Sequence, residues 1–366
     1  MRFRLFLSIF LVSAGSADAA CDFSAVGARA QQAMQAANLT DAGVLIGTPQ
    51  GLVYKQYYGT YSDSTIVPLA SASKMLSGIR VMQLVDRGVI DLDVPVSNYL
   101  PEFTGVKGTM TMRQMFSHTS GYGDDEDSLV LAFPTTLAAD VAYIAAHIDP
   151  PFPPPGSQFA YGGISMQVGG EVAEVQANED WQAGWIAHIA VPLGISTIDW
   201  QGLGATQNYR IAGGAEASML DYAKILAMLA TNGVGNGHRI LSASAVATLN
   251  HVQTGDAVLA YSPPAANGST AYGIGAWIET DLFTSPESPV ISDIGKFGFT
   301  PWVDFDYGYF GILMVYHPDE TAPTIGQRTH AALEDISTLV RAQLSSACPM
   351  IDTYDEIFRD GADGLP

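Results

Sequence analysis

Ser71-Ala72-Ser73-Lys74, continuing as Met75-Leu76-Ser77-Gly78-Ile79, is the stretch on which the reading of this chain turns. Apolar residues at Met75, Leu76, Ile79, Met82, Leu84 and Val85 recur at three- and four-residue spacing. That spacing predicts an amphipathic helix starting at Ser71 and stopping near Gly88. Residues three apart on a helix share a face, so the Lys74 amine can reach the Ser71 hydroxyl. A serine hydroxyl needs a neighbouring base to attack at neutral pH, and a lysine taken out of water can serve, because burial lowers the pKa of an amine. The pair is a candidate nucleophile and base. The same spacing also arises when the serine merely caps a helix and the lysine is solvated, so its meaning rests on the remainder of the chain.

Upstream, residues 25–37 read as a helix, and Gly43–Thr48 and Leu52–Tyr58 as strands joined by the turn Pro49-Gln50-Gly51. From Gly88 to about residue 250 the pattern is mostly helical, broken by the proline-dense loop Asp149–Gly156. A helix begins after Ser218, whose spacing to Asp221 suits an N-cap, and ends around Asn232-Gly233. Beyond Ala271 the texture turns to aromatic and β-branched strands: Tyr272–Thr280, Pro289–Gly298, Trp302–Asp306 and Tyr309–Tyr316. The last is nearly all apolar and reads as a buried central strand. A final helix covers about Gln327 to Ser345. The expected fold is α+β, an antiparallel sheet built from both chain ends (about 22–70 and 270–348) around a mostly helical lobe (about 71–269). Residues 349–366 are acidic, lack periodicity and read as a flexible tail.

The N-terminus has a basic start at Arg2 and Arg4, an apolar run from Leu5 to Val12 and the small-x-small site Ala17-Asp18-Ala19. These are the parts of a secretory signal peptide, residues 1–19. The apolar run is too short to span a bilayer. A lipid anchor on Cys21 is the rival, weakened because Asp18 stands where such signals carry a branched apolar residue. Cys21 and Cys348 are the two cysteines, one near each end of the expected mature chain. Export makes a disulfide between them plausible, with two buried thiols as the alternative. The formal charge of −21 argues against nucleic acid or an anionic membrane as partner. The seven histidines show no metal-ligand spacing, and no glycine loop suits a phosphate, so no cofactor is expected. The run Asp124-Asp125-Glu126-Asp127 lacks calcium-loop spacing and reads as a solvated loop.

Three further segments give the serine and lysine their company: Met115-Phe116-Ser117-His118-Thr119-Ser120-Gly121, Phe159-Ala160-Tyr161-Gly162-Gly163, and Lys296-Phe297-Gly298. With Ser71–Lys74, their order and spacing resemble the serine β-lactamases, penicillin-recognising DD-peptidases and related esterases. The resemblance is strongest to the branch shared by class C β-lactamases, their esterase relatives and D-amino-acid peptidases. Ile211-Ala212-Gly213-Gly214 and the segment Asn236–Ser242 also look like that family, and the resemblance runs from about residue 25 to about residue 345. It implies the β-lactamase/transpeptidase-like fold and a covalent acyl-enzyme. In that scheme Ser71 is the nucleophile, Lys74 takes or relays its proton, and Tyr161 is a second proton-transfer group that two nearby cations make easier to ionise. Lys296 would position a substrate carboxylate, and the backbone N–H groups of Ser71 and Phe299, just past Gly298, would form the oxyanion hole.

Two departures stand out. Gly163 occupies the place of an asparagine in many relatives, so an amide donor to the substrate is missing, and Phe297 replaces a small residue of the third motif. Both argue against a tuned β-lactamase and for an apolar acyl group, an ester or a short peptide, with Trp302 and Phe299 lining the apolar side. The expected activity is an exported serine hydrolase, an esterase or D-amino-acid peptidase acting on a small ester, amide or short peptide. The alternatives are a β-lactamase and a penicillin-binding or sensor module without turnover. His118 reads as structural, part of a turn pinned by side-chain hydrogen bonds.

Overall fold

Strands from the two ends of the chain meet in one antiparallel sheet. We number them β1 (Ala42–Thr48), β2 (Gly51–Tyr58), β3 (Trp277–Ile278), β4 (Val290–Ser292), β5 (Thr300–Asp304), β6 (Tyr309–Met314) and β7 (Asp352–Thr353). Their order across the sheet is β7-β2-β1-β6-β5-β4-β3. This is a computed structural model that describes residues 21–123, 135–282, 289–318, 321–344 and 348–353. The expected signal peptide and the acidic run at 124–127 lie outside the described residues.

Side chains of the central strands alternate between the two faces of the sheet, and both faces are buried. In β1, Val44 and Ile46 face one apolar cluster and Leu45 the other. The first cluster is closed by α1 (Ser24–Gln35) and the C-terminal helix, through Val26, Ala30, Leu333 and Ile336. The opposite face receives a helix at Met219–Ala230 and, beyond it, the helical part of the chain. In chain order those helices are α2 (Ser73–Asp86), α3 (Met112–Phe116), α4 (Leu137–His147), α5 (Ile164–Ala177), α6 (Trp181–Trp185), α7 (Met219–Ala230) and α8 (Ala243–Leu249). The C-terminal helix, α9, spans Ile325–Gln343.

Several local readings hold. Strand β6 is buried along its whole length between β1 and β5. The Ser218 hydroxyl accepts the N–H of Asp221 and caps α7, and Asn232 and Gly233 leave that helix with positive φ. Helix α9 opens with a capping box between Thr324 and Gln327.

The structure differs in three places. The strand expected over Tyr272–Thr280 shrinks to Trp277–Ile278, with Tyr272 bridging back to Trp277. The strand expected over Pro289–Gly298 ends at Ser292 because the Gly295 N–H donates to the Phe299 carbonyl at 2.8 Å and Gly298 N–H to Gly295 at 2.8 Å, closing a turn. The acidic tail begins on the sheet, where Asp352 pairs with Leu52 and Thr353 with Gly51 as edge strand β7; residues 354–366 lie outside the described residues.

Cys21 and Cys348 form a disulfide, with Cα atoms 5.3 Å apart across 327 residues of sequence. It ties the chain beside α1 to the chain after α9, two helices that pack together on one face of the sheet. A crosslink closing so long a loop constrains the unfolded chain strongly. Replacing both cysteines by serine is expected to cost about 2–4 kcal/mol of stability. Activity at 25 °C should persist, because the bond lies behind the sheet, away from Ser71. Denaturant melts with and without reductant check this, and an unchanged midpoint would remove the bond from the stability account.

Candidate active site

Ser71 sits on a pinned turn. Ala70 adopts φ of 47°, a left-handed conformation that costs an L-residue about 1 kcal/mol or more, and a short 3₁₀ turn over Ala70–Ala72 carries the chain into α2 at Ser73. The helix proper therefore starts two residues after Ser71. Tertiary hydrogen bonds hold the strained turn. The Ser73 hydroxyl donates to the Ala70 carbonyl at 2.7 Å and accepts the Ala215 N–H at 3.0 Å. Leu69 N–H donates to Ala215 at 2.8 Å, and the Tyr222 hydroxyl to the Ala72 carbonyl at 2.8 Å.

Lys74 is 2% exposed, and its Nζ lies 3.0 Å from Ser71 Oγ and 2.8 Å from the Ala212 carbonyl. Ser71 is half-buried and stays accessible. The segment Ile211–Gly214 is thus the far wall of the Ser71 turn, with Ser77 also donating to the Ile211 carbonyl. Two glycines bring α2 close to the segment before β3. A Cβ on Gly78 would meet the Ile274 carbonyl at 2.2 Å, and one on Gly275 the Lys74 carbonyl at 2.3 Å.

Tyr161 completes the group. The Lys74 Nζ lies 4.6 Å from its ring centroid. The phenol follows a short strand, Gln158–Ala160, paired in parallel with Val258–Tyr261, and Tyr161 N–H donates to the Tyr261 carbonyl at 3.1 Å. Its ring stacks on Trp277 at 5.3 Å and lies 4.4 Å from the His118 imidazole. Phe159 and Tyr272 close the same aromatic cluster. His118 supports this ring from below. Its carbonyl accepts Ala160 N–H at 2.9 Å, and its Nδ1 accepts Gly162 N–H at 3.4 Å. Burial, with the Lys74 charge in second place, holds the imidazole well below its usual pKa, so it is a neutral support. The Ser117 and Thr119 hydroxyls lie 3.1 Å apart in the expected side-chain-pinned turn.

The third motif is where the structure departs from the sequence reading. Lys296 is exposed, in the turn between β4 and β5, and not on a strand. The strand register instead carries Asp293 to the nucleophile helix, where its Oδ2 accepts the Met75 N–H at 2.8 Å. Asp293 is fully buried. Burial pushes its carboxyl up, opposed by the Lys74 charge and by the N–H groups of Met75 and Lys74. The residue against the Leu69 carbonyl is Gly295, where a Cβ would approach that oxygen to 2.3 Å.

Two side chains expected to line the apolar side of the site pack elsewhere. The Phe299 side chain is fully buried against Tyr222 and serves the core, and its carbonyl closes the turn; the backbone N–H expected in the oxyanion hole is a separate group that this packing leaves in place. Gly298, at φ of 101°, is needed because a Cβ would strike Ile325 of α9 at 2.8 Å. Trp302 points to the other face of the sheet, into the cluster closed by α1 and α9, and cannot line the pocket. Gly163 stands at the start of α5, leaving no side chain where an amide donor was expected. Missed were Asp293 and the aromatic support from Tyr272 and Trp277; the pattern of aromatics at 272 and 277 was visible but read as plain strand. No group of metal-ligating side chains occurs among the described residues.

Residues 26–287 match the Beta-lactamase family profile. The chain belongs to the beta-lactamase family. Among solved structures of the family, a putative beta-lactamase from Bacteroides dorei superposes with a TM-score of 0.77 at 24% identity, covering 89% of this chain and 100% of that one. EstCE1, a hydrolase with promiscuous acyltransferase activity, gives 0.66 at 17% identity, covering 85% and 98%. These likenesses establish the β-lactamase/transpeptidase-like fold. In sequence, Esterase EstB of Burkholderia gladioli is 34% identical over 85 residues, 22% of each chain. Penicillin-binding protein 4 of Amycolatopsis lactamdurans is 26% identical over 156 residues, 40% of this chain and 39% of that protein. The chain spans about a tenth to two fifths of the length of the curated relatives it matches.

Proposed function

We propose that this beta-lactamase-family chain is an exported serine hydrolase that cleaves small uncharged esters, or activated amides, through an acyl-enzyme on Ser71. The observation that carries the reading is the contact of Ser71 Oγ with Lys74 Nζ at 3.0 Å, with the same amine over the Tyr161 ring. Lys74 in its neutral form takes the Ser71 proton as Oγ attacks the carbonyl carbon. Tyr161 carries a proton to the leaving oxygen as the ester bond breaks, and the same groups then draw a proton from the water that releases the acyl group. The oxyanion faces the backbone N–H groups of Ser71 and of Phe299, which closes the turn that begins at Gly295, the residue in contact with the chain just before Ser71. The lack of a side chain at Gly163 and the apolar Ile294 beside Tyr161 suit an apolar acyl group. Esterase and acyltransferase relatives support ester chemistry. Export is supported by the N-terminal pattern and the disulfide, and no helix among the described residues is long and apolar enough to cross a membrane.

The test is hydrolysis of 4-nitrophenyl butyrate. Wild type turns it over faster than nitrocefin, Ser71→Ala folds normally and loses the activity, and a fluorophosphonate adds one adduct at Ser71 by intact mass. Ester turnover that survives Ser71→Ala, or labelling elsewhere, defeats the reading. Nitrocefin turnover well above the ester rate would make the protein a β-lactamase instead.

A further inference from the structure

Resting on the hydrolase reading, we propose that Asp293 sets the charge preference of this site. Buried against the start of α2, its carboxyl offsets the Lys74 charge beside the nucleophile, so the pocket favours substrates without a carboxylate and disfavours those that carry one.

The placement follows from the β4–β5 hairpin. Ser292 pairs with Trp302, and Asp293 N–H donates to the Pro301 carbonyl at 3.2 Å, so the strand direction continues one residue past β4. Side chains alternate along it. Ile294 joins the cluster around Tyr161, while Asp293 and Gly295 turn to the start of α2, one against Met75 N–H and the other against the Leu69 carbonyl. Asp293 Oδ2 is satisfied, but Oδ1 has no hydrogen-bond partner among the described residues. A buried carboxyl with a spare oxygen is costly unless a charge or a proton compensates it.

The compensating group is Lys74, the charged neighbour that acts on Asp293. The other titratable groups around it are the phenols of Tyr222 on α7 and Tyr272 before β3, with Tyr161 and the neutral His118 behind the latter. Burial keeps the phenols of Tyr222 and Tyr272 protonated. One proton shared between amine and carboxyl gives the pair a net charge of zero, whichever group holds it. A second proton would leave a buried ammonium uncompensated, and none would leave a buried carboxylate so. Lys296, the cation expected to attract a substrate carboxylate, is exposed on the turn, where water and salt weaken its pull.

The experiment compares 3-acetoxybenzoate with its methyl ester, which carry the same acetyl group and differ in one charge on the leaving side. In wild type kcat/KM, scaled to each ester's alkaline hydrolysis rate, favours the methyl ester by about tenfold or more. Asp293→Asn keeps an oxygen for the Met75 N–H and removes the charge, and it narrows the ratio to within about threefold. Lys296→Ala leaves the ratio unchanged. A wild-type ratio near one, or an Asp293→Asn ratio equal to wild type, overturns the proposal. If Asp293→Asn does not fold, Asp293→Ser replaces it; if neither folds, the wild-type ratio from pH 5.5 to 8.5 decides, and a value near one throughout overturns it. Absence of Ser71-dependent turnover of both esters overturns the hydrolase reading and this inference with it. Turnover favouring the carboxylate overturns this inference alone.

Discussion

Lys74→Ala lowers kcat for ester hydrolysis by about two orders of magnitude or more, the range expected for loss of a proton-transfer group, while KM changes far less. The amine is 2% exposed and has Ser71 Oγ at 3.0 Å, so removing it strands the hydroxyl without a base in a place water cannot readily replace it. The same change takes away the donor to the Ala212 carbonyl and the charge facing buried Asp293. Some loss of stability is therefore expected as well, and a thermal melt recorded beside the kinetics separates the two effects. Lys74→Met, which fills the volume of the stem without the amine, should lose as much activity with less loss of stability. Small primary amines added to Lys74→Ala should restore part of the rate, because the missing group is a proton acceptor and not a packing element. Near wild-type kcat in either variant would remove Lys74 from the chemistry.

Tyr161→Phe is expected to lower kcat by about a hundredfold or more with folding intact. Folding stays intact because the ring is fixed by its stack on Trp277 and by the His118 imidazole, and phenylalanine keeps both contacts. Only the hydroxyl is lost, so the change isolates proton delivery to the leaving group. The dependence on leaving group provides the internal check. Esters of acidic phenols, which depart without help, should suffer least from Tyr161→Phe, and alkyl esters most. A uniform loss across leaving groups would make Tyr161 a support for Lys74 and not the proton carrier.

The two ends of the prediction chain differ in how local they are. Ser71 and Lys74 could be paired from spacing alone because three residues of helical geometry bring them together, and even the error in the helix start, two residues, left the contact in place. The central strand Tyr309–Met314, the Ser218 cap and the joining of the two cysteines were legible for similar reasons: an unbroken apolar run, a short-range hydrogen bond and the common approach of chain ends. Tyr161 entered by resemblance to the family, and the structure places it over Lys74.

Trp302 leaves the pocket for a reason of register. In a strand, one residue of register decides which face a side chain takes. The strand expected through Lys296 and Gly298 ends early, at Ser292, because the Gly295–Phe299 turn closes it. Lys296 lies exposed in that turn, and Asp293 lies against α2. Trp302, paired opposite Ser292, then points to α1 and α9.

From its residues alone this chain determined its family resemblance, its α+β class and the pairing of Ser71 with Lys74, because those depend on the order of short motifs, on periodicity and on contacts within one turn of helix. Only the tertiary structure decided what surrounds that pair. The carboxyl of Asp293, the aromatic support of Tyr161 and the far wall at Ile211–Gly214 come from segments 40 to 220 residues away, roughly, and where such segments meet is set by strand register and hairpin closure, which no local pattern encodes.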